Sequence, residues 1–271
     1  MKQTPTSSRV SRRLIPSARI VLGALAFIAA VLLVLPVIAL GARAPWSDAL
    51  ARLFRPGTLD ALRLSLVVST ASVVLSLALG FPIAWVLARC TFPGRRILRT
   101  LVLLPMVFPP VVGGVALLAA FGSHGICGST MQSLGIRLPF TTAGAIVAAT
   151  FVSCPFMILS LESGLQSIDR RLEDAAATLG ASDWMILRRI VVRGLGPALR
   201  AGIALTWARA LGEFGATITF AGSHPGRTRT LPLAVYELIN VDVGDAILLG
   251  VLLVAFAAAV LLALSGKVLL R

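Results

Sequence analysis

The sequence predicts an all-α integral membrane protein with six membrane-spanning helices. Three observations carry that expectation. The 271 residues are 57% hydrophobic and only 13% charged, with a mean hydropathy of +0.93. A soluble domain carries about a quarter charged residues, so this chain has too little polar surface to cover a water-facing globule. Apolar stretches recur at about 20 residues, the length a helix needs to cross the hydrocarbon core. The positive surplus, +14 at pH 7, sits mostly between those stretches. A basic balance is also the footprint of nucleic-acid binding. Its placement here fits the Lys and Arg that gather on the cytoplasmic flanks of membrane helices, and no nucleic-acid partner is expected.

Residues 1–19 form a basic cytoplasmic tail containing Lys2, Arg9, Arg12, Arg13 and Arg19, predicted to be disordered through about Ser17. Residues 20–41 form the first span. Ala42-Arg43-Ala44 resembles a signal cleavage site. The apolar run is longer than the roughly 7–15 residues of a signal core, and Pro45 is a poor residue to follow a cut, so a retained helix is expected. Further spans are expected at 62–88, 100–121, 138–161, 199–221 and 246–266. The fifth of the six is the weakest, because Arg209 and Glu213 interrupt it.

Alternating the connections from a cytoplasmic N-terminus places seventeen Lys and Arg on the inner side and seven on the outer side. That split puts both termini in the cytoplasm of a multi-pass protein of the cell membrane. Cys90, Cys127 and Cys154 are odd in number and lack metal-ligand spacing, so they read as packing residues or free thiols.

Several residues inside the spans are candidates for function. Ser65, Ser69, Ser72 and Ser76 are spaced to share one helix face. Small hydroxyl residues serve membrane helix interfaces, and they also line polar paths. Pro36, Pro82, Pro105, Pro109, Pro110 and Pro155 lie in or near spans, where each removes an internal hydrogen bond and permits a kink. Arg209 and Glu213 are four apart on one helix face. Either Arg209 belongs to an anion path or gate, or the two neutralise each other; an adjacent acid repels an anion. His124 falls in an outer turn and reads as structural.

The cytoplasmic connection 168–193 carries the most information. Asp169 can cap a short helix in which Glu173 and Asp174 occupy early turns, where acids suit the dipole. Leu172, Ala176 and Leu179 share a face. Gly180 permits a bend, and Ser182 or Asp183 can cap a second short helix with Trp184, Leu187 and Val191 on one side. Two readings fit: an amphipathic loop on the membrane surface, or an elbow whose small residues let another protein's backbone approach.

This segment resembles the EAA loop of ABC importer permeases, whose pattern is Glu-Ala-Ala, three residues, then Gly. Aligned on Gly180, Asp174-Ala175-Ala176 takes the place of Glu-Ala-Ala, with Glu173 adjacent and Val192-Arg193 where Leu-Pro often closes the motif. The stretch from Trp207 through Arg209, Glu213 and Thr217 resembles one shared by sulfate and molybdate permeases. Residues 221–236, with Pro225-Gly226, Arg227 and Arg229, resemble the outer connection of molybdate permeases more than that of sulfate permeases. There the two arginines either attract an oxyanion or a partner's acidic rim, or form a solvated basic loop.

The resemblance covers about residues 58–267 and implies a type I ABC importer transmembrane domain, of the kind found in molybdate and methionine permeases. It implies a permease subunit importing molybdate by alternating access. The partners implied are a second copy of the chain, two separate ABC ATPase subunits, and an extracytoplasmic molybdate-binding protein. Glu173, Asp174, Ala175, Ala176, Gly180 and Trp184 would couple to the ATPase. Ser65, Ser69, Ser72, Ser76, Arg209, Glu213 and Thr217 are the candidates for the path or gate.

No Gly-x-x-x-x-Gly-Lys-Ser/Thr, Gly-x-Ser-x-Gly or His-Glu-x-x-His pattern occurs. The expectation is therefore a non-enzymatic chain that binds no cofactor and draws on ATP and magnesium held by a partner. A sulfate, thiosulfate or tungstate permease of the same fold and an ion-driven secondary transporter are the alternatives.

Overall fold

A computed structural model describes residues 16–265, with side chains for 20–263. Most of the basic tail 1–19 lies outside the described residues, as do Lys267, Arg271 and the end of the last expected span. Every regular element among the described residues is helical. The chain divides into two units, Met1–Ala44 and Pro45–Arg271.

In the first unit, helix α1 spans Pro16–Ala42 and carries Pro36 within it. Its apolar side chains, from Ile20 through Val37, are exposed around the helix, the pattern of a membrane span with lipid as its solvent.

The second unit begins with the short α2, Ala49–Leu53, and the long α3, Pro56–Arg89. Pro56 starts α3 at a position where a missing N–H costs nothing. At about 1.5 Å per residue, its 34 residues reach about 50 Å. Helices α4, Arg95–Leu103, and α5, Pro110–Phe121, follow. Short α6, Gly128–Ser133, leads to α7, Thr142–Ser167, which Thr141 caps by accepting from the Gly144 N–H at 3.0 Å. The elbow contains α8, Arg170–Thr178, α9, Asp183–Ile186, a π-helical turn at Leu187–Val191, and α10, Val192–Gly194. The chain continues through α11, Gly196–Leu211, α12, Gly215–Phe220, α13, Leu231–Leu238, and α14, Val243–Ser265.

The expected count of six spans is not met by continuous helices. Among the described residues α1, α3, α7 and α14 are long and apolar enough to cross a membrane, and α4 with α5 makes a fifth if that bent pair is one span. The span expected at 100–121, where the prolines permit a kink, is bent by 116° between α4 and α5. Pro105 and the Pro109-Pro110 pair remove the backbone donors that would carry one helix through. The expected span at 199–221 is also interrupted. Helix α11 has 16 residues, about 24 Å, and the chain leaves helical geometry at Gly212–Phe214 before α12. The span expected at 138–161 is shifted, because its helix starts at Thr142 and runs on to Ser167.

Helices α3, α7 and α11 form the centre of this unit. Leu87, Met157, Ile158, Leu161, Leu165, Leu195 and Leu211 make one buried cluster between them. Lipid tails are as apolar as leucine, so close packing holds such helices together more than transfer from water does. Gly164 shows how close the approach is. A Cβ added there would stand 2.4 Å from Ala198 Cβ and 2.9 Å from Leu195 Cδ2.

Candidate functional site

The elbow is built by local chemistry. Asp169 Oδ1 accepts the Arg171 N–H at 3.0 Å and starts α8. At the other end, the Ala181 N–H donates to Ala176 O at 3.0 Å and the Gly180 N–H to Ala177 O at 2.9 Å. That pair of bonds is the Schellman closure, which needs a residue in the left-handed region, and Gly180 has φ +86°. A Cβ there would touch nothing within 4 Å, so conformation, not space, requires glycine. Ser182 Oγ then accepts the Met185 N–H at 3.4 Å, which makes Ser182 the cap of the two candidates.

The elbow turns apolar and small residues outward. Leu179 is 89% exposed and Trp184 69%. Asp174, Ala175 and Gly180 are exposed, and Ala176 is half-buried. Trp184, Leu187 and Val191 do not share one side as expected. Val191 is buried and Leu187 packs against the core, while Trp184 faces out. The π-helical turn between them shifts the helical phase.

One charged contact braces the elbow, and the sequence reading did not identify it. Arg89, the last residue of α3, pairs through Nη2 with Glu173 Oε1 in α8. The Arg89 guanidinium also stands 6.0 Å from the Trp85 ring centroid, and Arg170 Nη2 donates to Ala88 O at 3.5 Å. An arginine at a helix C-terminus meets the carbonyl end of the dipole, so Arg89 serves α3 and α8 together. Beside it lies a groove of about 740 Å³, floored by Phe81, Pro82 and Trp85 and rimmed by Asp174, Asp183 and Trp184. Glu173 thus faces the protein, whereas Asp174 faces out.

The candidate path residues lie deeper. Ser65, Ser69, Ser72 and Ser76 are all buried. Ser65 Oγ accepts the Leu231 N–H at 2.7 Å, Ser69 Oγ donates to Leu66 O at 3.3 Å, and Ser72 Oγ donates to Ile146 O at 3.2 Å. These contacts place the serine face in helix packing, against α7 and the start of α13. Arg209 Nη1 meets Glu213 Oε2 at 2.7 Å, and Glu213 is 2% exposed. Glu213 has a second task. Its Oε1 accepts the Ala216 N–H at 2.8 Å, in the first turn of α12, and so bridges the break after α11. Thr217 is buried in the same short helix.

At the far end of α3 a second charged cluster closes the unit. Arg52 Nη1 meets Asp242 Oδ2 at 3.0 Å and Asp245 Oδ1 at 2.5 Å, and Arg55 Nη1 meets Asp245 Oδ2 at 2.5 Å. The Asp245 backbone N–H, and after it the Arg52 guanidinium, hold the Asp242 carboxyl below its ordinary value and outweigh its desolvation. Nearby Arg229 pairs with Glu237 at 2.7 Å, and Glu237 also accepts from Ser223 Oγ. Arg227 is exposed, and its backbone carbonyl accepts from Thr142 Oγ1 at 2.8 Å.

The model of the family of binding-protein-dependent transport system inner membrane components matches residues 80–271. The chain belongs to that family. The matched segment takes in the end of α3, the whole elbow and the bridged break at Glu213. A molybdenum transport system permease protein ModB of Mycobacterium bovis is 44% identical over 88% of this chain and 90% of its own length. The protein of the same name from Escherichia coli K12 is 43% identical over 69% and 82%. A probable sulfate transport system permease protein cysT of Chlorokybus atmophyticus is 36% identical over 83% and 80%. Among solved structures, a chain of a bacterial ABC transporter involved in the import of the acidic polysaccharide alginate superposes with a TM-score of 0.72 at 18% identity. The match covers 92% of this chain and 93% of that one, so the two share a fold. The expected fold class stands: an all-α, multi-pass ABC importer membrane domain.

Proposed function

We propose that the chain is the permease subunit of an ABC importer that carries molybdate across the cytoplasmic membrane, with the elbow 168–193 receiving the force of ATP hydrolysis. The observation that supports the coupling role most strongly is the elbow's construction. Its caps and its Arg89–Glu173 brace fix its position, yet its tip presents Leu179 and Trp184 to the outside. Apolar side chains held out on a braced scaffold fit a partner's groove better than they fit water. Asp174, Ala175, Ala176 and Gly180 give that partner a close approach, with Glu173 assigned to the brace. The greater identity to molybdenum transport permeases than to the sulfate relative supports the substrate.

On this reading two ATPase subunits hold ATP and magnesium, and this chain binds no cofactor. Two copies of the chain enclose the path, a molybdate-binding protein delivers substrate from outside, and both termini are cytoplasmic. Domain 58–267 forms the importer core, and α4–α5 and α11–α12 each cross the membrane as a broken span. An oxyanion in hydrocarbon meets a prohibitive desolvation cost, so the path needs polar groups without a strong trapping charge. Arg209 neutralised by Glu213, with Thr217 a turn beyond, meets that description.

Uptake of labelled molybdate by membrane vesicles containing the assembled transporter tests the proposal. Uptake requires ATP, and excess sulfate leaves most of it intact. Gly180→Pro and Ala176→Arg abolish uptake and ATPase binding while the chain still inserts. Full competition by sulfate defeats the substrate assignment. Uptake driven by an ion gradient alone, or undiminished in both variants, defeats the coupling role.

A further inference from the structure

We infer that Ser76, Ser153 and Thr206 hold one buried water molecule at the junction of α3, α7 and α11. All three side chains are fully buried, and none of the three hydroxyl oxygens has a hydrogen-bond partner among the described residues. Other hydroxyls of the same helices are satisfied locally: Ser69 donates to Leu66 O and Thr150 to Ile146 O. Within α3, α7 and α11, Ser76, Ser153 and Thr206 are the buried hydroxyls left unmet.

The helix register brings them together. Met157 of α7 touches both neighbouring helices. A Cβ on Gly80 of α3 would stand 3.6 Å from Met157 Cγ, and one on Gly202 of α11 would stand 3.0 Å from Met157 Sδ. Helix α3 runs parallel to α7, since Ser72 meets Ile146 and Gly80 meets Met157. Helix α11 runs antiparallel to it, since Gly164 meets Ala198 and Gly202 meets Met157. One turn toward the same end of the bundle leads from Gly80 to Ser76, from Met157 to Ser153, and from Gly202 to Thr206. Cys154 Sγ, 3.9 Å from Ser76 O, marks the same level. On this register the three hydroxyls, one from each helix, lie at one level, near the middle of α7.

The chemistry selects water over a cation. A buried hydroxyl without a partner costs about 1–3 kcal/mol, and buried waters typically make about three hydrogen bonds to such groups. No acidic residue lies within one turn of these positions on any of the three helices. A cation would therefore sit uncompensated at membrane depth. The inference is independent of the transported substrate.

Thermal unfolding of the purified full-length chain in detergent, with a cycle of substitutions, tests it. Ser76→Ala, Ser153→Ala and Thr206→Val each lower Tm by about 2–4 °C, and the triple variant lowers it no more than the largest single change, because the water leaves with the last hydroxyl. Additive rises in Tm overturn the proposal, since they mean that each replacement merely removes an unsatisfied group. A crystal structure resolving ordered solvent gives the direct readout. Density within about 3.2 Å of all three oxygens is expected, and hydroxyls turned onto carbonyls of their own helices, with no density between them, refute the site.

Discussion

The two ends of α3 are held by different amounts of charge. At the Arg89 end one ion pair, one ring contact and one long hydrogen bond fix the elbow. At the Arg55 end, Arg52 and Arg55 share Asp245 and Arg52 also meets Asp242, with Arg229–Glu237 close by. Both ends carry exposed apolar side chains, Leu179 and Trp184 at the first and Leu50, Phe54 and Val241 at the second, but only the second buries a carboxylate, that of Asp245, between two arginines. The contrast separates a lightly braced elbow, the proposed docking surface, from a charged clasp that ties α2, α3 and α14 together.

The contrast predicts a graded set of effects. The largest belongs to Asp245→Ala, which removes the one carboxylate that Arg52 and Arg55 share and lowers stability in unfolding experiments more than any change at the Arg89 end. If that loss is under 1 kcal/mol, the far cluster is no clasp. Arg89→Ala strands Glu173 and costs about 2 kcal/mol. Its sharper signature is functional: ATPase binding weakens more than stability does, and Arg89→Lys restores it in part. Acid separates the ends further. Because the folded-state value of Asp242 is depressed, its contribution is complete above the ordinary carboxylate value of 3.8 and is lost as pH falls through the folded value. Stability therefore drops below about pH 4, and Asp242→Asn removes part of that drop. The smallest change in stability, within about 0.5 kcal/mol, is expected for Leu179→Ser and Trp184→Ala. Both nevertheless reduce ATPase binding, and if they leave it unchanged the elbow tip is not the docking surface.

What the sequence made legible follows a physical divide. Asp169, Gly180 and Ser182 announce themselves because capping acts within a few residues. Arg209 and Glu213 were readable for the same reason, being one turn apart. The Arg89–Glu173 brace joins residues 84 apart, and Arg52 reaches Asp245 across 193. Counted along the chain, those arginines looked like topology charges, and only packing reveals their partners. The breaks in the third and fifth spans were half-visible. Pro109-Pro110 gives notice of a kink but not of a 116° turn, and Gly212 alone does not show that Glu213 will bind the next helix's first turn. The serine stripe was legible as a face, but that Ser72 meets α7 and Ser65 the start of α13 was not.

Gly164 sets a limit on how the molecule can move. With no room for even one methyl between α7 and α11, neither helix can roll against the other without first parting from it. That seam is a place where α7 and α11 hold each other in register. The same tightness recurs where α12 meets α5, since a Cβ on Gly215 would stand 2.3 Å from Pro110 Cβ, so the two broken segments are seated on each other as closely as the two unbroken ones.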